Sequence, residues 1–294
     1  MQTRMPVDCN KFYRVAMIDY GAETEIRVYA KNMSVPGHGF PISKQYQWQR
    51  DEVMESFEPN QYGEFYDMVV HDLNEIEARE KHCLNNSINR TKNKIYSLCR
   101  GYEWHWFITF TFSPNVVDRY DYQAIVVKMR GWLNRCRMKS EDFMYMVVPE
   151  RHKDGAYHFH GLFANVEGVL DLVPAAVPDA WNVNNFSFGF TKAEKVRDSF
   201  RVSQYITKYI TKELLHVTKG RRRYWASQNV KEPERHYFKV FGGDAEFLAD
   251  QLGDVCKFSK AIETPEGTMH YVNMATSSIP DHILAFLADH EIWP

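Results

Sequence analysis

Apolar residues along the chain alternate between a period of two and a period near four, and the changes of period divide it into strands and helices. Residues 11–18 and 24–30 read as a hairpin reversing across Tyr20-Gly21-Ala22, and 31–45 as a Pro/Gly-containing loop. From about Met68 to Gly101, Val69, Leu73, Ile76, Leu84, Ile88, Ile95 and Leu98 recur at helical spacing. His105 to Phe112 predicts a central strand covered on one side. Ile108, Phe110 and Phe112 take its apolar face, and Thr109 and Thr111 take the other. Tyr122 to Arg137 predicts an amphipathic helix with Ile125, Val126, Met129, Leu133 and Cys136 inward. A hairpin follows over 143–148 and 156–163, turning at Lys153-Asp154-Gly155, because Asp-Gly tolerates positive φ. Residues 165–185 read as loop with at most a short helix at Val169–Leu172. Beyond it come a strand at 186–191, a helix at 200–215, strands at 221–225 and 235–241, a hairpin in 255–274 and a helix at 279–290.

This order, with few Gly-rich turns between strand and helix, predicts an α+β fold: a central antiparallel sheet with flanking helices. It also suggests a core domain at 86–241 between an N-terminal accessory region, 1–85, and a C-terminal one, 242–294. Composition adds little to the fold. Of 294 residues, 44% are hydrophobic and 25% charged, as in an ordinary folded chain. Five scattered cysteines without a Cys-x-x-Cys pair argue for a reducing compartment and against a disulfide framework. No apolar run approaches membrane-span length and no signal core precedes the first strand, so the expectation is a cytoplasmic protein without a membrane partner.

Charge changes the picture more. The net charge of −2 conceals a block from Lys192 to Lys239 with 13 Lys or Arg against 5 Asp or Glu, net +8. Acidic blocks at 51–82 and after Phe241 flank it. A local polyanion site on an otherwise repelling surface fits that distribution.

Two motifs carry candidate chemistry. On the hairpin's return strand His158 and His160 share one face, with Phe159 on the other, and Glu150 ends the outgoing strand within reach. Two imidazoles and a carboxylate converging from paired strands make a three-ligand metal site with open positions. A His-x-His pair alone is as often two polar residues on a wet face. Inside the basic block, Ser203 to Lys212 contains Tyr-Ile-Thr-Lys twice in tandem. On a helix Tyr205 and Tyr209 stack ~6 Å apart along one face, with Lys208 and Lys212 beside them and Ile206 and Ile210 turned to anchor the segment. A phenol of ordinary pKa about 10 becomes a nucleophile when an ammonium favours its anion and a cation polarises its target.

Glu150, His158-Phe159-His160 and Tyr205-Ile-Thr-Lys208-Tyr209 resemble the HUH (His-hydrophobic-His) superfamily of rolling-circle replication initiators, in its two-tyrosine form. That form is typified by the A proteins of small single-stranded DNA phages and by related plasmid initiators. Phe107 to Phe112 is similar to the family's first motif, and Arg221 to Ser227 to a segment following its tyrosine helix. The resemblance spans roughly residues 88–230.

The resemblance implies Glu150, His158 and His160 as ligands of Mg²⁺ or Mn²⁺. It implies Tyr205 and Tyr209 as nucleophiles on single-stranded DNA, giving a 5′-phosphotyrosyl protein and a free 3′-OH, with Lys208 and Lys212 supporting the developing charge. The order of the two tyrosines stays open. Arg221, Arg222 and Arg223 are candidates for backbone phosphates, and Tyr224 and Trp225 for base stacking. Partners implied are a single-stranded or hairpin origin, a host helicase (the chain has no Gly-x-x-x-x-Gly-Lys-Ser/Thr) and a host polymerase, in the bacterial host of a phage or plasmid. A mobilisation relaxase or single-strand transposase of the same chemistry, a non-catalytic DNA-binding regulator, and a hydrolytic metalloenzyme are the alternatives.

Overall fold

The computed structural model describes residues 12–34, 63–211, 214, 222–264 and 267–292. Its architecture is α+β, with two antiparallel sheets and five helices among the described residues. The chain divides into two compact units, one of residues 43–232 and one of 1–42 with 233–294.

In the first unit, helix α1 (Gly63–Arg100) leads into β3 (Trp106–Phe112), α2 (Tyr122–Arg137), β4 (Met144–Arg151) and β5 (Tyr157–Ala164). Three strands follow, β6 (Leu172–Pro174), β7 (Trp181–Val183) and β8 (Gly189–Lys195), then α3 (Ser199–Tyr205) and β9 (Trp225–Ala226). The seven strands order β6-β7-β8-β3-β5-β4-β9, which puts β3 and β5 at the centre. Their alternation is the reason. Ile108, Phe110, Phe112 and Phe159 are buried, and Phe110 meets Trp132 of α2 edge-on at 5.2 Å. Each side chain so buried contributes about 1.5–3 kcal/mol. Asp121 caps α2 by accepting from the Gln123 and Ala124 backbone amides at 2.8 and 3.3 Å.

The β4–β5 hairpin forms where the sequence places it. Gly155 has φ +89° in its turn, and Asp154 accepts from the Ala156 amide at 3.0 Å. The predicted loop at 165–185 instead contains β6 and β7, each of three residues, too short for alternation to reveal. The strand expected at 186–191 is shifted toward the C-terminus. Gly189 seats its start: a Cβ there would run into the Thr111 carbonyl oxygen and lie 2.7 Å from the Ser113 amide nitrogen, so only glycine lets β8 close onto β3.

The predicted helix at 200–215 is broken. After α3 the chain tightens into a 3₁₀ turn, Ile206–Tyr209, and Ile210 is extended. Ile206, Thr207, Ile210 and Thr211 are β-branched and poor at continuing an α-helix, and the Thr207 hydroxyl donates back to the Gln204 carbonyl at 2.7 Å.

In the second unit β1 (Phe12–Asp19), β2 (Glu23–Ser34), β10 (Glu234–Phe238), β11 (Phe258–Thr264), β12 (Gly267–Ala275) and β13 (Glu291–Ile292) order β11-β12-β2-β1-β10-β13. Helices α4 (Gly242–Val255) and α5 (Asp281–Ala288) bring Leu248, Leu252, Ile283 and Leu287 to a core with Val15, Ile26, Val28 and Val272. The two terminal regions share one sheet, in which β2 pairs with β12, and β10, which the sequence reading placed at the end of the 86–241 domain, pairs with β1. The α4 helix was not anticipated. No helix among the described residues is long and apolar enough to cross a membrane.

Candidate functional site

The register of the seven-stranded sheet fixes what shares a face. Thr111 lies opposite His158 on one side and Phe190 on the other, and His158 lies opposite Glu150. Thr109 likewise stands between His160 and Lys192. Residues directly opposite one another point the same way, so these form two parallel rows on one sheet face.

Each histidine is held by the threonine beside it. Thr109 Oγ1 lies 3.1 Å from His160 Nδ1, and Thr111 Oγ1 3.3 Å from His158 Nδ1. That leaves Nε2 of each ring for another partner. His160 Nε2 meets Glu150 Oε2 at 2.7 Å. Partial burial pushes the Glu150 carboxyl up, but the His160 hydrogen bond and the neighbouring imidazoles outweigh it and hold it below the usual range. His158 is pushed down by burial and by His152 and His160; the His152 ring stacks on it at 5.2 Å.

The tyrosine segment lies over this face. Tyr209 stacks flat on His160, centroids 3.6 Å apart and planes within 6°. It is 6% exposed and donates its hydroxyl hydrogen to the Tyr205 oxygen at 3.3 Å. Tyr205 is 46% exposed. Phe107, on the same face, meets Tyr205 edge-on at 5.5 Å and stacks toward His160 at 5.9 Å. The 3₁₀ turn brings residues three apart nearly into line, and Lys208 Nζ sits 3.5 Å from the Tyr205 ring centroid and 4.8 Å from that of Tyr209.

The two phenols are therefore unequal. Lys208, through hydrogen bonding, holds Tyr205 below the ordinary phenol value, and the Tyr209 hydrogen bond adds to the effect. Burial drives Tyr209 well above it, and its hydrogen bond to Tyr205 pushes the same way. Ile206 and Ile210, 0% and 1% exposed, anchor the turn as their spacing predicted.

The structure thus brings together Glu150, His158, His160, Tyr205, Lys208 and Tyr209. Among the described residues no three His, Cys, Asp or Glu side chains already gather their donors about one point. Two imidazoles and a carboxylate are nonetheless a donor set suited to a divalent cation, and a hydrogen bond at Nδ1 is the usual way a ligating Nε2 is oriented. The Glu150–His160 hydrogen bond is what a cation would replace.

Within the candidate segment at 221–225, Arg223 and Trp225 are engaged elsewhere. Lys212 and Arg221 fall outside the described residues. Arg222 is exposed, whereas Arg223 spends its guanidinium on α1, donating to Ser87 Oγ at 2.8 Å and Thr91 Oγ1 at 3.0 Å. Tyr224 is half-buried. Trp225 is 7% exposed and packs on Phe159 at 5.6 Å, which makes it a core residue with no open ring face. The sequence reading missed the work of Thr109, Thr111 and Phe107. The alternation that set the two threonines on one face was the available signal.

Residues 105–214 match a sequence family described as Replication-associated protein ORF2. The matched span runs from just before β3 to just beyond the tyrosine turn. The match supports a rolling-circle replication initiator family for this span. No curated protein and no solved structure matches the chain.

Proposed function

We propose that the chain starts rolling-circle replication by nicking and rejoining single-stranded DNA at an origin, with Tyr205 as the nucleophile of the first cut. One observation carries the reading: a solvent-facing phenol under an ammonium, hydrogen-bonded to a second phenol that lies flat on the His160 of a Glu150–His160 pair. A small-molecule hydrolase has no use for that phenol, and a binding-only regulator has no use for the Lys208 placement.

The Tyr205 oxygen attacks phosphorus, the bond from phosphorus to the 3′-oxygen breaks, and a 5′-phosphotyrosyl protein and a free 3′-OH remain. The phenol gives up its proton and the departing oxygen takes one up, so the step needs no net proton and no nucleotide cofactor. Lys208 stabilises the phenolate before attack and the charge spread over the phosphoryl oxygens during it. Thr109 and Thr111 hold both imidazoles by Nδ1. Glu150, His158 and His160 would hold Mg²⁺ or Mn²⁺, whose contribution is to polarise the scissile phosphate. Tyr209 serves a second cleavage after the turn releases it from His160. A relaxase or transposase of the same chemistry would use the same residues; the match to a replication-associated family favours initiation.

The test uses oligonucleotides tiling the chain's own replicon, with Mn²⁺ and full-length protein. The expected result is a protein–DNA species that survives denaturation. It disappears in Tyr205→Phe/Tyr209→Phe and in His158→Ala/His160→Ala. Cut strands bearing free 5′-phosphates, with no linked species, would overturn the proposal.

A further inference from the structure

Beside the histidines the site face carries a feature that the chemistry above does not use. Phe190 of β8 is 76% exposed. Single exposed apolar residues are ordinary on protein surfaces, and exposure alone says nothing. Position says more. Phe190, Thr111, His158 and Glu150 form one cross-strand row, so the ring projects from the face that holds the histidines, two strands and roughly 10 Å from His158. Lys192 stands in the next row, with Thr109 and His160.

The surroundings of Phe190 are open but firm. β7 reaches β8 only at Trp181–Ala193, so beside Phe190 the strand has no outer strand neighbour among the described residues. The backbone is nevertheless fixed, because Gly189 abuts β3 with no space for a Cβ. Lys192 is about half exposed and pairs with Glu194 at 2.9 Å. Exposed pairs of this kind are worth ~0–1 kcal/mol, so the ammonium is readily drawn to a phosphate instead.

We infer that Phe190 and Lys192 form a binding platform for the single strand beside the scissile phosphate, Phe190 stacking on a base and Lys192 contacting the backbone. A planar ring fixed on a sheet, a cation one row away and a nucleophilic phenol on the same face suit an unpaired, flexible polyanion with π-faces; a duplex keeps its bases stacked inside. The inference rests on the proposed DNA nicking, but its test does not depend on cutting.

Binding is measured by fluorescence anisotropy in EDTA, so that no cleavage contributes. The probes are a labelled 20-nucleotide oligo(dT) and a 20-base-pair duplex, with full-length protein. Phe190→Ala weakens single-strand binding about 5- to 100-fold. Phe190→Leu, apolar but not aromatic, weakens it nearly as much, and Phe190→Trp restores it. Neither substitution to Ala nor to Leu alters duplex binding. Lys192→Gln lowers the slope of log affinity against log salt by about 0.7, the value of one single-strand phosphate contact. A single strand carrying 2-aminopurine is quenched by the wild type and less so by Phe190→Ala. Equal losses for single strand and duplex, full binding by Phe190→Leu, or no single-strand binding by the wild type would each overturn the platform. Loss of the covalent species in the separate adduct assay, with the binding pattern intact, would instead overturn the nicking.

Discussion

Each sheet carries a glutamate facing basic partners, and the two are used oppositely. Glu25, in the six-stranded sheet, is 1% exposed and fully occupied: it accepts from Arg27 Nε at 2.7 Å, from Tyr271 at 3.1 Å and from Tyr20 at 3.4 Å. Glu150, in the seven-stranded sheet, keeps part of its carboxylate open to solvent and has one close partner, His160. A carboxylate whose lone pairs are all engaged is a strut. One held by a single exchangeable hydrogen bond next to a second imidazole can still take on another ligand. Residue type does not separate the cases; the number of donors and the access do.

The sharpest test of the difference replaces one oxygen. Tyr205→Phe should lower covalent-adduct formation ~10³-fold or more while shifting the thermal midpoint little, since the ring stays and the hydroxyl is exposed. Tyr209→Phe should spare the first adduct far better and impair strand rejoining, measured as the yield of closed circles. Next in size is the strut. Glu25→Ala takes the carboxylate partner from the half-buried Arg27 and should cost about 1–3 kcal/mol in chemical denaturation, with adduct chemistry unaffected in protein that remains folded. Glu25→Leu/Arg27→Met, which removes both charges, should recover most of that loss.

Subtler effects are expected around the histidines. Thr109→Val should raise the Mn²⁺ concentration giving half-maximal adduct about 10- to 100-fold, because His160 loses the partner that orients it. Lys208→Met should slow adduct formation roughly tenfold. It should also move the alkaline rise of the rate to higher pH. Lys208 lowers the Tyr205 value, so tyrosinate appears earlier with the lysine present and later without it.

Much of the site was legible because strands have a strict period of two. Once β3 and β5 were read as strands, His158 with His160, and Thr109 with Thr111, had to share faces. Legibility failed where local pattern yields to packing. Trp225 and Arg223 stand in a run of Arg and aromatic residues that reads as a nucleic-acid motif, yet one fills the core and the other ties β9's approach to α1. The 3₁₀ turn was hidden because Tyr-Ile-Thr-Lys satisfies helical spacing while its β-branched residues resist helix. The shared sheet of the chain's two ends was hidden because pairing across some two hundred residues leaves no local trace.

That pairing has a consequence during synthesis. The β1–β2 hairpin leaves the ribosome first, but β10 and β12, which flank it, follow about 200 residues later. At 5–20 residues per second it waits on the order of 10–40 s with both edges unpaired. The seven-stranded unit is translated whole in that interval, so the nascent chain acquires its tyrosine centre before its oldest strands find their neighbours.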